Sequence, residues 1–249
     1  MGKQPAIAGI FKLSAPKIVE TAEQLSRRVR ERFPESGLAT AALAVHTAVA
    51  KTERRIILLE RPHLFLRGMS KSITVLIIIL IAWLFFGELT WALPREKLHV
   101  TDFVAVLEPF LGSVVFITAF MVFLTSAEQR WKAERVIEAL AELRSLMHVV
   151  DMHQLTKDPE RSLHPGSDTP SSPTRKLTSF ELGRYLDYCT ELVSLCAKVA
   201  ALYAQSFSDA KVLRAVDEIE TLATGLSTKI WQKVNLLHLT TVETKQAKK

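Results

Sequence analysis

The sequence predicts an all-α membrane protein: a two-span transmembrane helical hairpin with a cytoplasmic helical bundle made of N-terminal helices and a C-terminal antiparallel helix pair. Three observations predict it. From Ser72 to Gly87 run 16 residues without a charge, and from Pro109 to Ala127 run 19 more. Only about eight residues, PREKLHVT, separate the two spans, which forces a hairpin. Past residue 178, apolar residues recur at three- and four-residue steps over two long stretches with one short polar break.

Residues 1–71 form a basic N-terminal arm with 13 Lys or Arg against 6 Asp or Glu, whereas residues 126–249 hold 17 against 16. The overall net charge of +6 therefore belongs to the arm. Lys17 to Phe33 reads as a helix that Pro34 ends, and Gly37 to Glu60 as a second helix stopped near Pro62. Because the arm leads into an apolar run, its expected partner is the anionic headgroups of membrane lipids. Nucleic acid is not expected, since Arg27, Arg28, Arg30 and Arg32 are interleaved with Glu31 and no binding motif accompanies them.

The transmembrane hairpin occupies residues 72–127, with spans over about 72–93 and 101–127. At about 1.5 Å per residue the second uncharged run covers roughly 28 Å, close to the hydrocarbon thickness of a bilayer. Two buried helices of a water-soluble core would need more polar-faced helices around them than this chain supplies. Arg54, Arg55, Arg61, Arg67 and Lys71 precede the first span and Arg130, Lys132 and Arg135 follow the second, against Arg95 and Lys97 between them. This asymmetry places both termini in the cytoplasm of a multi-pass protein, in the cell inner membrane if the source is bacterial. Trp91 and Trp131 suit the interfacial belts. The patch AIAGIF is too short for a secretory leader, and Gly2 is not followed by Ser or Thr at position 6, so the first span is expected to direct insertion.

Residues 128–157 extend the second span, because Trp131, Val136, Ile137, Leu140, Leu143, Met147 and Val150 keep helical spacing with no Gly or Pro until Pro159. Residues 158–178 are a Pro/Ser-rich linker in which Ser167, Thr169, Ser171, Ser172 and Thr174 are open to phosphorylation. Residues 179–240 form the C-terminal helical hairpin. Leu182, Tyr185, Leu186, Cys189, Leu192, Val193, Cys196, Val199, Ala200 and Tyr203 line one helix. Val212, Leu213, Val216, Ile219, Leu222, Leu226, Ile230, Val234 and Leu237 line the next, with Ser208 or Asp209 as its cap, and residues 241–249 are a basic tail. Cys189 and Cys196 are seven apart on one helix, about 10 Å along its axis, too far to bridge, and read as small core residues.

The residues that could carry chemistry are few. His148, Asp151, His153, Lys157 and Asp158 form the densest polar cluster, able in principle to hold a metal or serve hydrolysis. Yet His148 and His153 are five apart, about 140° round a helix, and only His148 with Asp151 matches a same-face metal spacing. Arg144 and His148 share a helical face, which alone identifies no nuclease. No G-x-S-x-G, G-x-x-x-x-G-K, G-x-G-x-x-G, H-E-x-x-H or paired C-x-x-C occurs, so no cofactor, metal centre or enzymatic activity is expected. In the hairpin, Ala105, Gly112, Ala119 and Ser126 recur every seven residues as a helix-packing face, serving either the two spans of one hairpin or separate subunits. Glu108 shares that face, with Pro109 beside it to bend the helix, and Glu88 lies near the same outer level.

These features point first to a non-enzymatic membrane scaffold or regulator whose cytoplasmic helices bind a partner or a second copy. A cation-conducting oligomer with Glu108 and Glu88 near its outer mouth is the alternative. A membrane-tethered enzyme using the His148–Asp158 cluster is the third reading.

Overall fold

Each helix boundary is set by a local chemical signal. The computed structural model describes residues 12–60, 72, 74–75, 78–79, 82–83, 100–157, 159, 170–171 and 177–246, and among these the side chains at 58, 60, 100–110, 124–125 and 239–246 are not described. The described residues form five α-helices and no strand: α1 (Ala15–Arg32), α2 (Gly37–Glu60), α3 (Val100–Leu155), α4 (Ser179–Ser206) and α5 (Ala210–Gln246).

Helix α1 starts two residues before Lys17 because Pro16 sits in its first turn, where a missing N–H breaks no hydrogen bond. It closes with the Phe33 N–H donating to the Val29 carbonyl at 2.8 Å, just before Pro34. Ser36 then caps α2: its Oγ accepts from the Ala39 N–H at 3.2 Å and donates to the Phe33 carbonyl at 2.8 Å. At α4, Thr178 and Glu181 make a reciprocal capping box, Thr178 Oγ1 accepting from the Glu181 N–H and Glu181 Oε2 accepting from the Thr178 N–H. Of the two residues that could cap α5, Asp209 does so, its Oδ1 accepting from the Lys211 N–H at 2.9 Å. Helix α5 runs on to Gln246, six residues beyond the boundary at 240 that the sequence suggests.

Helix α3 is continuous for 56 residues, about 84 Å. It passes through Pro109 and Gly112 and, as the unbroken spacing implies, joins the second apolar run to the stretch before Pro159.

The chain divides into two compact units, residues 1–60 with 133–249, and residues 61–132. The larger is a helical bundle in which successive helices alternate in direction. Leu13 meets Gln205, Arg28 meets Glu191, and Phe33 packs on Tyr185, so α1 and α4 run opposite ways. Lys51 and Arg55 pair with Glu142 while Gly37 meets His153, so α2 opposes α3. Arg144 pairs with Glu218 and Lys233 reaches Gln154, which sets α3 and α5 parallel. One end of the bundle therefore gathers the end of α1, the start of α2, the end of α3 and the start of α4. The other gathers Glu60, Ala133 and the α4–α5 turn.

Helix α4 is the centre. Its buried residues, from Leu202 and Leu195 round through Tyr203, Cys196 and Val193 to Leu186, cover roughly 200° of its circumference at 100° per residue. Helix α2 approaches it closely because Ala39, Ala41, Ala42 and Ala48 leave little side chain in the way. Helix α1 buries Ile18, Ala22, Leu25, Ser26 and Val29 in this core. Its apolar stripe is thus spent on the bundle. From α3 come Ala133, Val136, Ala139, Leu140, Leu143, Met147 and Val150, all buried. At about 1.5–3 kcal/mol for each large apolar side chain removed from water, this shared core is what holds the five helices together.

In the smaller unit, α3 is the one helix among the described residues long and apolar enough to cross a membrane, and none of its most apolar 18-residue window is buried. Of the first apolar run, residues 72, 74, 75, 78, 79, 82 and 83 are described and helical. Thr74 donates its hydroxyl to Met121 Sδ at 2.8 Å. Ser113, Ile117 and Met121, half-buried at four-residue steps, form the covered face of α3, while Phe116, Val122 and Phe123 stand exposed.

Candidate functional site

The polar cluster read from the sequence lies at the C-terminal end of α3, and the structure reorganises it around a residue that reading left out. Gln154 is buried. Its Nε2 donates to Asp151 Oδ1 at 2.6 Å, a helical i, i+3 pair. Its backbone carbonyl accepts twice, from the Lys157 N–H at 3.0 Å and from Lys233 Nζ on α5 at 2.9 Å. Its Oε1 is buried without a hydrogen-bond partner among the described residues. Lys157 places its ammonium 5.3 Å from the centre of the Tyr185 ring.

Two lysines at the last turn of α3 meet the negative end of the helix dipole, and Lys233 adds a second donor to the Gln154 carbonyl there. The geometry serves to lock the end of α3 onto α4 and α5. Burial pushes the Cys189 thiol up to about 12 and Cys196 likewise to about 12, so both stay protonated at neutral pH.

The other residues of the cluster disperse. His148 is exposed on α3, and His153 turns to α2, where its ring packs against Gly37. Asp158 lies outside the described residues. Among the described residues, no three His, Cys, Asp or Glu side chains gather where they could hold a metal ion.

The residues that the sequence assigns to a hairpin are placed in part. Glu88 lies outside the described residues, and Ala105, Glu108 and Pro109 are described as helical backbone of α3 only. A cavity of about 780 Å³ runs along α3, lined by Val115, Thr118, Ala119, Val122, Ser126 and Arg130 among others. Ala119 and Ser126 line it on the side of α3 opposite Ile117 and Met121, by the 100° step per residue. A Cβ added at Gly112 would meet no described atom within 4 Å. The face carrying the small residues is thus turned away from the face that Thr74 touches.

Gln154 and Lys233 were missed because one is uncharged and the other lies 79 residues away on another helix. The available signal was Lys233 standing beside the apolar stripe of α5, between Ile230 and Val234. Compared with known proteins, the chain matches no family model, no curated protein and no solved structure.

Proposed function

We propose that the chain is a non-enzymatic integral membrane scaffold that presents its helical bundle in the cytoplasm for self-association or for a protein partner. One observation carries this reading: α3 changes character along its length. Leu111, Val115, Phe116, Val122 and Phe123 are exposed, whereas Val136, Leu140, Leu143, Met147 and Val150 are buried in the bundle. A bare apolar helix surface is untenable in water and natural in lipid. The first apolar run makes the second span, and a two-span hairpin with the basic flanks described above puts both termini in the cytoplasm.

Self-association uses the Ala105, Gly112, Ala119 and Ser126 face, which the helical register sets opposite the Thr74 contact. Mass measurement of the complex in mild detergent tests the reading. The expected result is a defined oligomer or a co-purifying protein, and an oligomer that loses subunits when Gly112 and Ala119 become Leu. A monomer with no partner would sink it. Protease added from the cytoplasmic side should cut within residues 160–176, and protection there would reverse the topology.

A cation-conducting oligomer is the second reading, favoured by the helical register that puts Glu108 on the same face of α3 as the small residues. It expects cation flux in liposomes that drops on Glu108→Gln, and silent liposomes at high protein density would dismiss it.

A further inference from the structure

We propose that Arg28, Arg32 and Arg184 form a binding site for a phosphomonoester dianion at the end of the bundle where α1 finishes and α4 begins. The site is built from two helical i, i+4 pairs that face each other: Arg28 with Arg32 on α1, and Arg184 with Tyr188 on α4. Arg28 and Arg184 hold their guanidinium carbons 5.4 and 5.1 Å from the centre of the Tyr188 ring. Arg32 lies 5.7 Å from the Phe180 ring. Stacking on these rings fixes the guanidinium planes, and a planar fork of N–H donors matches the oxygens of a phosphate better than a flexible ammonium does.

The cluster also shows in its tyrosine. Burial alone would raise the pKa of Tyr188, but the nearby guanidiniums of Arg184, Arg32 and Arg28 bring it below the usual phenol range. Among the described residues, carboxylates do not saturate the arginines. Glu181 has its Oε2 committed to the Thr178 cap, Asp187 holds Arg184 at 3.1 Å, and Glu191 reaches Arg28 at only 3.4 Å between half-exposed side chains. Exposed pairs of this kind contribute about 0–1 kcal/mol, so a dianion displaces Glu191 at little cost.

Position argues for a ligand in solution or on a polypeptide rather than a lipid headgroup. The chain leaves the bundle for the first apolar run from Glu60, and the arginines lie at the opposite end of α2, a helix of 24 residues and about 36 Å. The lipid partner expected for the basic arm is therefore not the ligand proposed for these arginines.

Calorimetric titration of the detergent-purified full chain with phenyl phosphate, using phenyl sulfate as a monoanionic control, tests the site. Expected are one saturable site, a loss of about tenfold or more with Arg32→Ala and with Arg184→Ala, and a smaller loss with the Lys variants, which keep charge and packing but not the fork. Glu191→Gln should tighten binding a few-fold, and affinity should fall below about pH 6 as the phosphomonoester takes up a proton. Equal binding of phenyl sulfate, or full affinity in both the Ala and Lys variants, would overturn the proposal. So would a chain that ignores phenyl phosphate yet binds vesicles of anionic phospholipid through these same arginines, which would assign the surface to the bilayer.

Discussion

The hydroxyl of Tyr203 on α4 donates to Oγ1 of Thr52 on α2 at 3.2 Å, a buried bond between residues 151 apart in the chain. Thr52 donates its own hydroxyl to the Ala48 carbonyl at 3.0 Å, and one turn on, Arg55 donates to Glu142 of α3 at 3.1 Å. Burial works against the Arg55 charge, but Tyr203 and Glu142 outweigh it and raise its pKa. Three helices thus meet at one polar thread through an apolar core. Tyr203→Phe should cost about 1–2 kcal/mol of unfolding free energy, and Thr52→Val about 1–3 because it leaves the buried hydroxyl without its acceptor. The double variant should cost less than the sum, as denaturant titration of the three proteins would show.

The two cysteines make the bundle sensitive to alkali. Their thiols sit near 12 in the folded chain because they are buried, against about 8.5 when unfolded. Since the folded values are raised, this contribution is fully present below about pH 8.5 and is lost as pH rises toward 12, the unfolded chain then binding fewer protons than the folded one. Melting temperature should fall steadily between pH 8.5 and 10.5. A Cys189→Ala, Cys196→Ala double variant should show a shallower fall, and an unchanged slope would mean the thiols are not the cause.

Two glycines should respond in opposite directions to the same change. A Cβ at Gly37 would overlap the His153 ring, while at Gly225, within α5, it would meet nothing within 4 Å. Gly225→Ala should stabilise by about 0.5–1 kcal/mol, as expected for a helix interior. Gly37→Ala should destabilise, and adding His153→Ala should restore most of the loss. Thermal melts of the three variants decide it.

The capping box at α4 predicts an acid-dependent effect. Glu181 is held below its ordinary carboxyl range by the hydrogen bonds from Thr178, the backbone one first. A depressed carboxyl contributes above its unfolded value, about 4.3, and loses that contribution as pH falls through the folded value. Thr178→Val should therefore lower the melting temperature at pH 7, with the gap from the parent narrowing toward pH 3.

The sequence reads most clearly where branched and aromatic residues keep strict helical spacing. Every residue of the stripe from Leu182 to Tyr203 is buried in α4. It reads poorly where neighbours compete or side chains are small. Leu213 and Trp131 satisfy the spacing and yet are largely exposed, because Val212 and Ala133 beside them take the inward positions. Alanine is nearly silent in such patterns, which hides how closely α2 packs. Asp151 with Gln154 is a local helical pair and could be read. Lys233 on Gln154, and Arg184 opposite Arg28 and Arg32, exist only once separate helices are side by side, and no spacing encodes that.

The alternation of helix directions brings the end of α3 and the start of α4 to the same end of the bundle. The buried core residues of the described chain all lie outside the peptide that joins them. A chain interrupted between residues 160 and 176 should reassemble from two separately expressed halves, the second being little more than the α4–α5 pair. That junction is then a natural place to insert a fluorescent or affinity module into the living protein.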